Sequence, residues 1–306
     1  MEGYGMGYRE ALVFFIDILG SQGRNDFQEL LDINETFHRE LTQNQVNDSY
    51  HTYTVYKRKI FTFSDCAYII YDFKDGIEDY RKDLRQLFDI ALRNTEPLLV
   101  QFLKKGFLCR GGIAYGDVYY ETERSLFFGP AINRAHYYEE RIAKYPRIIM
   151  DEKIATEVMA LNCERIKNSI SPEIARLNES MGGQIVLKDQ DGQYYLNYLN
   201  TLSQGTNYTD WMAICDLWSN LLPREVSEQD KKIVNLLEQL NRCNDEEDRK
   251  QLQHKIEKCY GIIEKYTWLK NYLYNSQPEE DKFSEALSAY LQSNLFLEEY
   301  SGFWPH

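Results

Sequence analysis

The sequence has too little positive charge for a surface that binds nucleic acid. Its 306 residues include 35 lysine and arginine side chains against 48 aspartate and glutamate side chains, a formal net charge of −13. Binding along a phosphate backbone needs a broad basic surface, and this composition argues against one. A small anion such as a nucleoside triphosphate is not excluded, because a local metal site can reverse the charge of a single cleft.

Long apolar runs and closely spaced metal-binding side chains are also scarce. No stretch reaches the ~18 apolar residues that a membrane span needs, and residues 1–9 lack the pattern of a signal peptide. We therefore expect a cytoplasmic protein without membrane contact. The six cysteines include no C-x-x-C pair and the five histidines form no cluster, which favours reduced thiols over a zinc site.

The alternation of β-rich and helical segments predicts an α+β domain. Its order indicates an antiparallel-rich sheet with helices on one face, and not a parallel dinucleotide-binding array. The predicted strands are residues 11–19, 53–63, 66–73, 107–114, 118–120, 147–150, 185–187 and 194–199. The predicted helices are residues 27–41, 77–104 with a kink or break at Pro97, 129–144, and one that starts at Asp151.

The loops and the C-terminal third complete this organisation. Residues 43–49 are polar and predict a loop, and Tyr115-Gly116-Asp117 predicts the turn of a second hairpin. From about residue 203 the pattern is wholly helical, with two antiparallel amphipathic helices. We predict a sheet domain over residues 1–202 and a helical extension over residues 203–306, packed on that domain or on a partner subunit.

Two aspartates lie where strands end. Asp17 is near the end of a buried strand, and Asp65 lies in the turn of the first hairpin. A buried carboxylate is costly without a partner, and two such acids repel unless they share a cation. Mg²⁺ and Mn²⁺ prefer oxygen ligands of this kind. The alternative is that each acid caps a strand end through hydrogen bonds to turn amides, and the pattern alone leaves both open.

The segments around these aspartates resemble, in order, successive motifs of class III nucleotide cyclases. They are FFIDILG at residues 14–20, FSDCAY at 63–68, RGGIAYGDV at 110–118 and GPAIN at 129–133. Further segments are similar to those of the pyrimidine cyclases of the bacterial Pycsar antiphage system: FGPA at 128–131, Glu139, Ala143, YPRII at 145–149 and KYTWLKNY at 265–272. The resemblance covers nearly the whole chain and implies the ferredoxin-like catalytic fold of that class.

The resemblance also implies an activity and its cofactors. Asp17 and Asp65 match the two metal-binding aspartates of the family, and Ile18 matches the residue that lends a backbone carbonyl to one metal. Two divalent ions, Mn or Mg, would clamp a nucleoside triphosphate. The expected enzyme is a phosphorus-oxygen lyase that converts UTP, or secondly CTP, to the 3′,5′-cyclic monophosphate and pyrophosphate. It would act as a homodimer, and a separate effector protein would sense the product.

Two positions that read the base in purine cyclases differ from the wider family pattern. They are Phe61, four residues before the second aspartate, and Leu126. A phenyl ring offers stacking or bulk but no hydrogen bond to a purine edge, so we expect a smaller, less polar pocket that suits a pyrimidine. The alternative is that Phe61 is an ordinary core residue.

The cation that would stabilise the transition state is not assigned by the pattern. Asn133 matches the asparagine that orients the ribose, but Tyr137 occupies the position of the expected arginine. Arg134 and Arg141, at positions i and i+7 of one helix, are candidates because guanidinium groups suit phosphates. Both are alternatively solvated or paired with Glu140 and its neighbours.

Lys188 is the last candidate site residue. Lys188 lies where the family carries a lysine that binds the triphosphate, although a lysine beside a turn is also a common surface residue.

The competing hypothesis is a non-catalytic nucleotide-binding or scaffolding module on a cyclase fold, which the loss of arginine at Tyr137 favours. The retention of both Asp17 and Asp65 argues for the enzyme.

Overall fold

A computed structural model describes residues 7–20, 25–50, 54–205 and 207–278. Its centre is a βαββαβ unit of β1 (Arg9–Ile18), α1 (Phe27–Tyr50), β2 (Tyr56–Phe63), β3 (Cys66–Phe73), α2 (Leu84–Lys104) and β4 (Cys109–Glu121). These strands lie in the order β2-β3-β1-β4, and each neighbouring pair is antiparallel. This is the ferredoxin-like order, so the predicted α+β class and antiparallel-rich sheet are confirmed.

The remaining elements widen the sheet and cover it. They are β5 (Leu126–Phe128), α3 (Pro130–Tyr137) with a π-helical turn (Tyr138–Ile142), β6 (Ile148–Met150), α4 (Glu152–Lys167), α5 (Pro172–Gly182), β7 (Val186–Lys188), β8 (Tyr194–Leu196) and α6 (Asn200–Ser203). Strand β6 pairs in parallel with β4, and β8 and β7 follow it to the sheet edge. The predicted hairpin in residues 185–199 is therefore confirmed.

Alternate side chains of β1 face opposite sides of the sheet. One set packs with α1, α2 and α4 in the main core: Leu12, Phe14, Ile16 and Ile18. The other set packs against α3: Ala11, Val13 and Phe15. Asp17 continues this second set. Helices were expected on one face, and α1, α2 and α4 occupy it, whereas α3 lies on the face that Asp17 shares.

Glycine in β4 allows α3 to approach this second face. A Cβ atom at Gly112 would lie 2.1 Å from the carbonyl oxygen of Ala135 and 2.6 Å from the Cβ of Tyr138. No side chain fits at that spacing, so the helix backbone rests directly on the strand. This contact sets the depth of α3 and of the π-helical turn that follows it.

Three predictions about local structure are wrong: a loop, a turn and the start of a helix. The polar residues 43–49 belong to α1, because this segment has no glycine or proline to end the helix. Tyr115-Gly116-Asp117 is not a turn, because β4 pairs with β1 from Cys109 to Val118, and the chain reverses only at residues 122–125. The helix predicted from residue 77 starts at Leu84, capped by the Asp83 carboxylate, and it continues through Pro97.

Two long helices form the described part of the extension, α7 (Tyr208–Arg242) and α8 (Glu246–Asn275). The Trp218 indole on α7 donates to the Leu103 carbonyl at 2.9 Å, and Lys104 pairs with Asp210 at 2.6 Å. The first part of α7 and the last part of α8 thus share the main core of the same chain. Residues 279–306 lie outside the described residues, and the domain boundary near residue 203 stays a prediction.

Within the described residues, no helix combines the length and apolar character needed to cross a membrane.

Candidate functional site

Strand pairing brings the two aspartates to one place. Asp17 lies opposite Cys66 at the start of β3 and opposite Arg110 at the start of β4. The backbone N–H of Ile18 donates to the Asp65 carbonyl at 3.3 Å, which fixes the hairpin turn beside the end of β1. The predicted convergence of Asp17 and Asp65 is therefore present at the end of three adjacent strands.

The charges around Asp17 are unbalanced. Burial and the negative charges of Glu139 and Asp65 raise the pKa of the Asp17 carboxyl to about 7, while Arg110 opposes the shift. The Arg110 guanidinium forms an ion pair with the buried Glu139 carboxylate, and its Nη2 lies 3.9 Å from Asp17 Oδ2. The Asp17 and Glu139 carboxylates thus compete for the positive charge of this one guanidinium.

A divalent cation fits these donors. The excess of carboxylate oxygens is the ligand chemistry that Mg²⁺ and Mn²⁺ prefer, and a bound cation would relieve the repulsion that raises the Asp17 pKa. Among the described residues, no group of three or more His, Cys, Asp or Glu side chains is arranged to hold a metal ion. Asp17 and Asp65, with the Ile18 carbonyl, are the residues of this chain that would hold one.

A cysteine thiol beside the aspartates bonds to the backbone of the hairpin. Cys66 donates its S–H to the Phe63 carbonyl at 3.1 Å. Burial and the charges of Asp17 and Asp65 raise the pKa of the Cys66 thiol to about 12. The thiol is therefore protonated at neutral pH in the metal-free chain.

The candidate arginines on and after α3 form ion pairs elsewhere. Arg134 Nη1 lies 3.3 Å from Asp151 Oδ2, and Arg141 Nη2 lies 3.4 Å from Glu140 Oε1. Both side chains are largely exposed, at 43% and 64%. Within this chain, both arginines thus form ion pairs, as the alternative expectation had it. A catalytic role for either arginine stays a prediction.

Asn133 and Tyr137, one helical turn apart on α3, are both exposed. Their positions place them on a common face of the helix, because residues at i and i+4 are neighbours. In this single chain, both side chains on that face are exposed to solvent. Their predicted contacts with substrate stay predictions.

The two predicted base-reading residues differ in burial. Phe61 is 7% exposed, and its ring centroid lies 4.6 Å from that of Phe127, within the cluster on the α3 face of the sheet. This packing matches the alternative that Phe61 is a core residue. Leu126, at the start of β5, is 39% exposed.

Lys188 is far from the aspartates within one chain. It lies on the edge strand β7, with its ammonium 4.6 Å from the ring centroid of Tyr194. Four strand-to-strand steps separate β7 from β1, a span of roughly 19 Å at the usual strand spacing. Lys188 therefore does not join Asp17 in the site of its own chain.

The sequence patterns gave no site role to Glu139 or Lys265. Glu139 is buried in the π-helical turn after α3, and Lys265 on α8 acts electrostatically on both Glu139 and Arg110. Neither position has a periodic or motif signal for a role at the aspartates. Glu139 is brought to this place by the π-helical turn. Lys265 is brought there by the packing of α8, which follows the sheet domain in sequence.

No family model matches the chain, and no curated protein is significantly similar to it. Several solved structures are similar to the chain at low identity, among them the following three. The catalytic core of a rhodopsin-guanylyl cyclase with converted specificity, in complex with ATPalphaS, shares 14% identity over 62% of this chain and 96% of that chain, with a TM-score of 0.36. The monomeric guanylyl cyclase domain of the RhoGC fusion protein from the aquatic fungus Blastocladiella emersonii shares 15% over 62% and 97%, with a TM-score of 0.37.

A bacterial light-regulated adenylyl cyclase shares 15% identity over 49% of this chain and 45% of that chain, with a TM-score of 0.33. At TM-scores below 0.5, such likenesses determine neither family nor activity.

Proposed function

We propose that this chain is a metal-dependent pyrimidine nucleotide cyclase. The observation that carries the proposal is the meeting of Asp17, near the end of β1, and Asp65, in the turn between β2 and β3, beside Arg110 on a sheet of ferredoxin-like order. Two neighbouring carboxylates repel each other. Their arrangement therefore favours a site for a bound cation over the alternative that each acid caps a strand end. The motif resemblance extends the same interpretation to the class of reaction.

The reaction would be an in-line displacement at the α-phosphorus of UTP or CTP. The ribose 3′ oxygen forms a bond to that phosphorus, the bond to the oxygen that bridges to the β-phosphate breaks, and pyrophosphate leaves. Divalent cations held by Asp17 and Asp65 would supply activation of the 3′ hydroxyl and screening of the leaving oxygens. The chain's own groups position the triphosphate, with the Arg110 guanidinium nearest to Asp17.

We propose that two chains form the complete site. Asn133 and Tyr137 lie on an open face of α3, and Lys188 is too far from Asp17 to act in the same chain. A homodimer in which one subunit supplies the aspartates and its partner supplies Asn133 and Lys188 removes this difficulty. The dimer also gives Arg134 and Arg141 a route to substrate across the interface.

The pyrimidine preference and the biological role rest on the sequence. In the family resemblance Phe61 stands at a position that reads the base and offers no hydrogen bond to a purine edge, and we propose a pyrimidine base on that ground, with UTP preferred to CTP. The core packing of the Phe61 ring in this chain does not itself carry this preference. The similarity of residues 128–149 and 265–272 to Pycsar cyclases supports a second messenger in antiphage defence that a separate effector senses. We also propose a cytoplasmic enzyme, as the sequence analysis led us to expect.

A second function, a non-catalytic nucleotide-binding module, is favoured by one observation. No arginine stands at Tyr137, and Arg134 and Arg141 are paired with Asp151 and Glu140 in the described chain. If no partner subunit releases these guanidinium groups, the site can bind a nucleotide without turning it over.

Product analysis distinguishes the two functions. The purified protein is incubated with ATP, GTP, CTP or UTP and Mn²⁺, and the products are identified by mass spectrometry. We expect 3′,5′-cyclic UMP or cyclic CMP from the wild type and none from Asp65→Asn. The matched control, Asp230→Asn, changes an exposed acid on α7, outside the quoted motifs, and should keep full activity. Nucleotide binding without any cyclic product, in a folded dimer, would favour the non-catalytic module.

A further inference from the structure

One buried arginine holds both acids of the turn between β7 and β8. The Arg147 side chain has no exposed surface, and its guanidinium forms ion pairs with Asp189 and Asp191. Its Nη1 also donates to Asp191 Oδ1 at 3.1 Å. Within the turn, the same two carboxylates accept from the backbone N–H groups of Gln190 and Gln193, at 2.7 and 3.1 Å. Side chains thus tie the turn to the segment that leads into β6.

Helix α8 adds a second fixed point to this turn. The Trp268 indole N–H donates to Asp189 Oδ2 at 2.8 Å. Its ring lies parallel to that of Tyr145, with centroids 6.1 Å apart, and the Arg147 guanidinium lies 5.1 Å from the Tyr145 ring centroid. The same oxygen of Asp189 therefore receives both the guanidinium of Arg147 and the indole of Trp268. The turn is held by two separate elements of the fold.

The backbone pairing of this hairpin is short. Strand β7 has three residues and lies at the edge of the sheet, and the register joins β8 to β6 at one pair, Ile149 and Tyr195. A hairpin with so few backbone bonds is marginally stable by itself. We therefore expect the bonds from Arg147 and Trp268 to set the position of the turn.

The turn directly follows Lys188, the residue predicted to bind the triphosphate. The exposed Lys188 ammonium lies 3.3 Å from the Tyr194 hydroxyl oxygen and 4.6 Å from the centroid of that ring. Among the described residues, no carboxylate is within ion-pair distance of this ammonium. The acids next to it in sequence, Asp189 and Asp191, are both paired with Arg147. The charge of Lys188 is therefore available to an anion.

We propose that the Arg147–Asp189–Trp268 cluster positions Lys188, so that its ammonium meets a triphosphate held at the aspartates of the partner subunit. This proposal rests on the proposed function and its homodimer, because Lys188 is too far from Asp17 of its own chain. Arg147 neutralises the acids beside Lys188 and anchors them. Trp268 makes the position of Lys188 depend on α8, a helix that follows the sheet domain in sequence.

Action through Lys188 has a signature that a merely structural contact lacks. Trp268→Phe removes the donor to Asp189, keeps an aromatic ring beside Tyr145 and changes no charge. If this loss acts through Lys188, it weakens triphosphate binding only while Lys188 is present, so the two substitutions are not additive. A structural contact would change binding by the same factor with or without Lys188.

The test is a double-mutant cycle in the full chain: the wild type, Trp268→Phe, Lys188→Met and the double variant. Trp268 is the member of the cluster to change, because loss of the buried Arg147 would leave two carboxylates without their partner. The Kd is measured by calorimetry with Mn²⁺ and the α,β-methylene analogue of UTP or CTP, which cannot release pyrophosphate. KM and kcat for the natural nucleotide and the Tm are recorded for each variant.

The matched control removes another hydrogen bond of α8. The Tyr272 hydroxyl donates to Asn197 Oδ1 at 2.7 Å in a buried bond, one turn after Trp268 and away from the turn that follows Lys188. Tyr272→Phe should therefore lower the Tm at least as much as Trp268→Phe, yet leave the Kd as in the wild type.

We expect Lys188→Met to raise Kd and KM about tenfold, the size of one charge-assisted hydrogen bond to a phosphate. Trp268→Phe should raise both about threefold in the wild-type background and leave them unchanged in Lys188→Met. The change in kcat should be smaller, because the contact binds substrate and transition state alike.

An equal loss of affinity from Trp268→Phe in both backgrounds would overturn the proposal, and so would a Kd that neither Lys188→Met nor Trp268→Phe changes. A wild type that binds the analogue but yields no cyclic product contradicts the proposed function alone, and the Kd cycle then decides the role of the cluster. A wild type that does not bind the analogue contradicts both.

Discussion

Glu96 should make the stability of this protein fall as the pH rises. It lies in α2 with 4% exposure, and its carboxylate accepts a hydrogen bond from the Thr201 N–H at the start of α6. Burial raises the pKa of the Glu96 carboxyl from 4.5 to about 7, although the bonds from Thr201 and the charge of Arg93 oppose the shift. The folded chain therefore holds this proton more firmly than the unfolded chain does.

The sign and the magnitude follow from linkage. Between pH 4.5 and about 7 the folded state binds more protons at Glu96 than the unfolded state, so the free energy of unfolding falls as the pH rises. Above pH 7 the loss is complete. A shift of this size corresponds to about 3 kcal/mol. Glu96→Gln keeps the shape and the acceptor for Thr201 but has no charge to lose.

Denaturant unfolding at pH 5 and pH 8 measures this difference. We expect Glu96→Gln and the wild type to be close in stability at pH 5, and the variant to be more stable by about 3 kcal/mol at pH 8, with an unchanged m-value. The comparison isolates Glu96, because other titrating groups such as Asp17 are common to both chains. Glu264→Gln, which changes an exposed acid on α8, should track the wild type. Parallel pH curves for Glu96→Gln and the wild type would refute the reasoning.

Three further changes test the fold and the site. Asp17→Asn should abolish Mn²⁺ binding yet raise the metal-free Tm at pH 8, because a buried, repelled charge is removed; a lowered Tm would contradict this account of the charge balance. Gly112→Ala should cost about 2 kcal/mol in urea unfolding, since α3 must move away from β4, whereas Gly261→Ala, with open space at its Cβ, should be neutral or stabilising. Trp268→Phe should cost about 1 kcal/mol through loss of the bond to Asp189, and a stability equal to the wild type would show that the bond contributes nothing.

The elements that carry the aspartates could be predicted from the sequence because their signals are local. The apolar run around Asp17 and the two-residue turn at Ser64 and Asp65 each define a strand end without reference to the rest of the chain. Their convergence follows from the antiparallel order of three strands. The turn predicted at Tyr115-Gly116-Asp117 is absent for the opposite reason, because pairing with β1 overrides a local turn signal.

The charged partners of Asp17 could not be predicted in this way. Arg110 faces Asp17 only because of the register between β1 and β4, which one residue of slippage would change. Glu139 points to Arg110 from a π-helical turn, and such a turn shifts every later side chain of the helix to another direction. The sequence motifs contain these residues but do not encode their geometry.

A net charge of −13 repels a triphosphate at long range, so binding depends on cations fixed close to the carboxylates. Within one chain, Arg110 lies beside Asp17, whereas Lys188 is too far away and Arg134 and Arg141 are paired elsewhere. If the partner subunit supplies the other cations, as the proposed homodimer requires, a variant held as a folded monomer should bind a triphosphate more weakly than the dimer does. Equal binding by the monomer and the dimer would contradict the shared site.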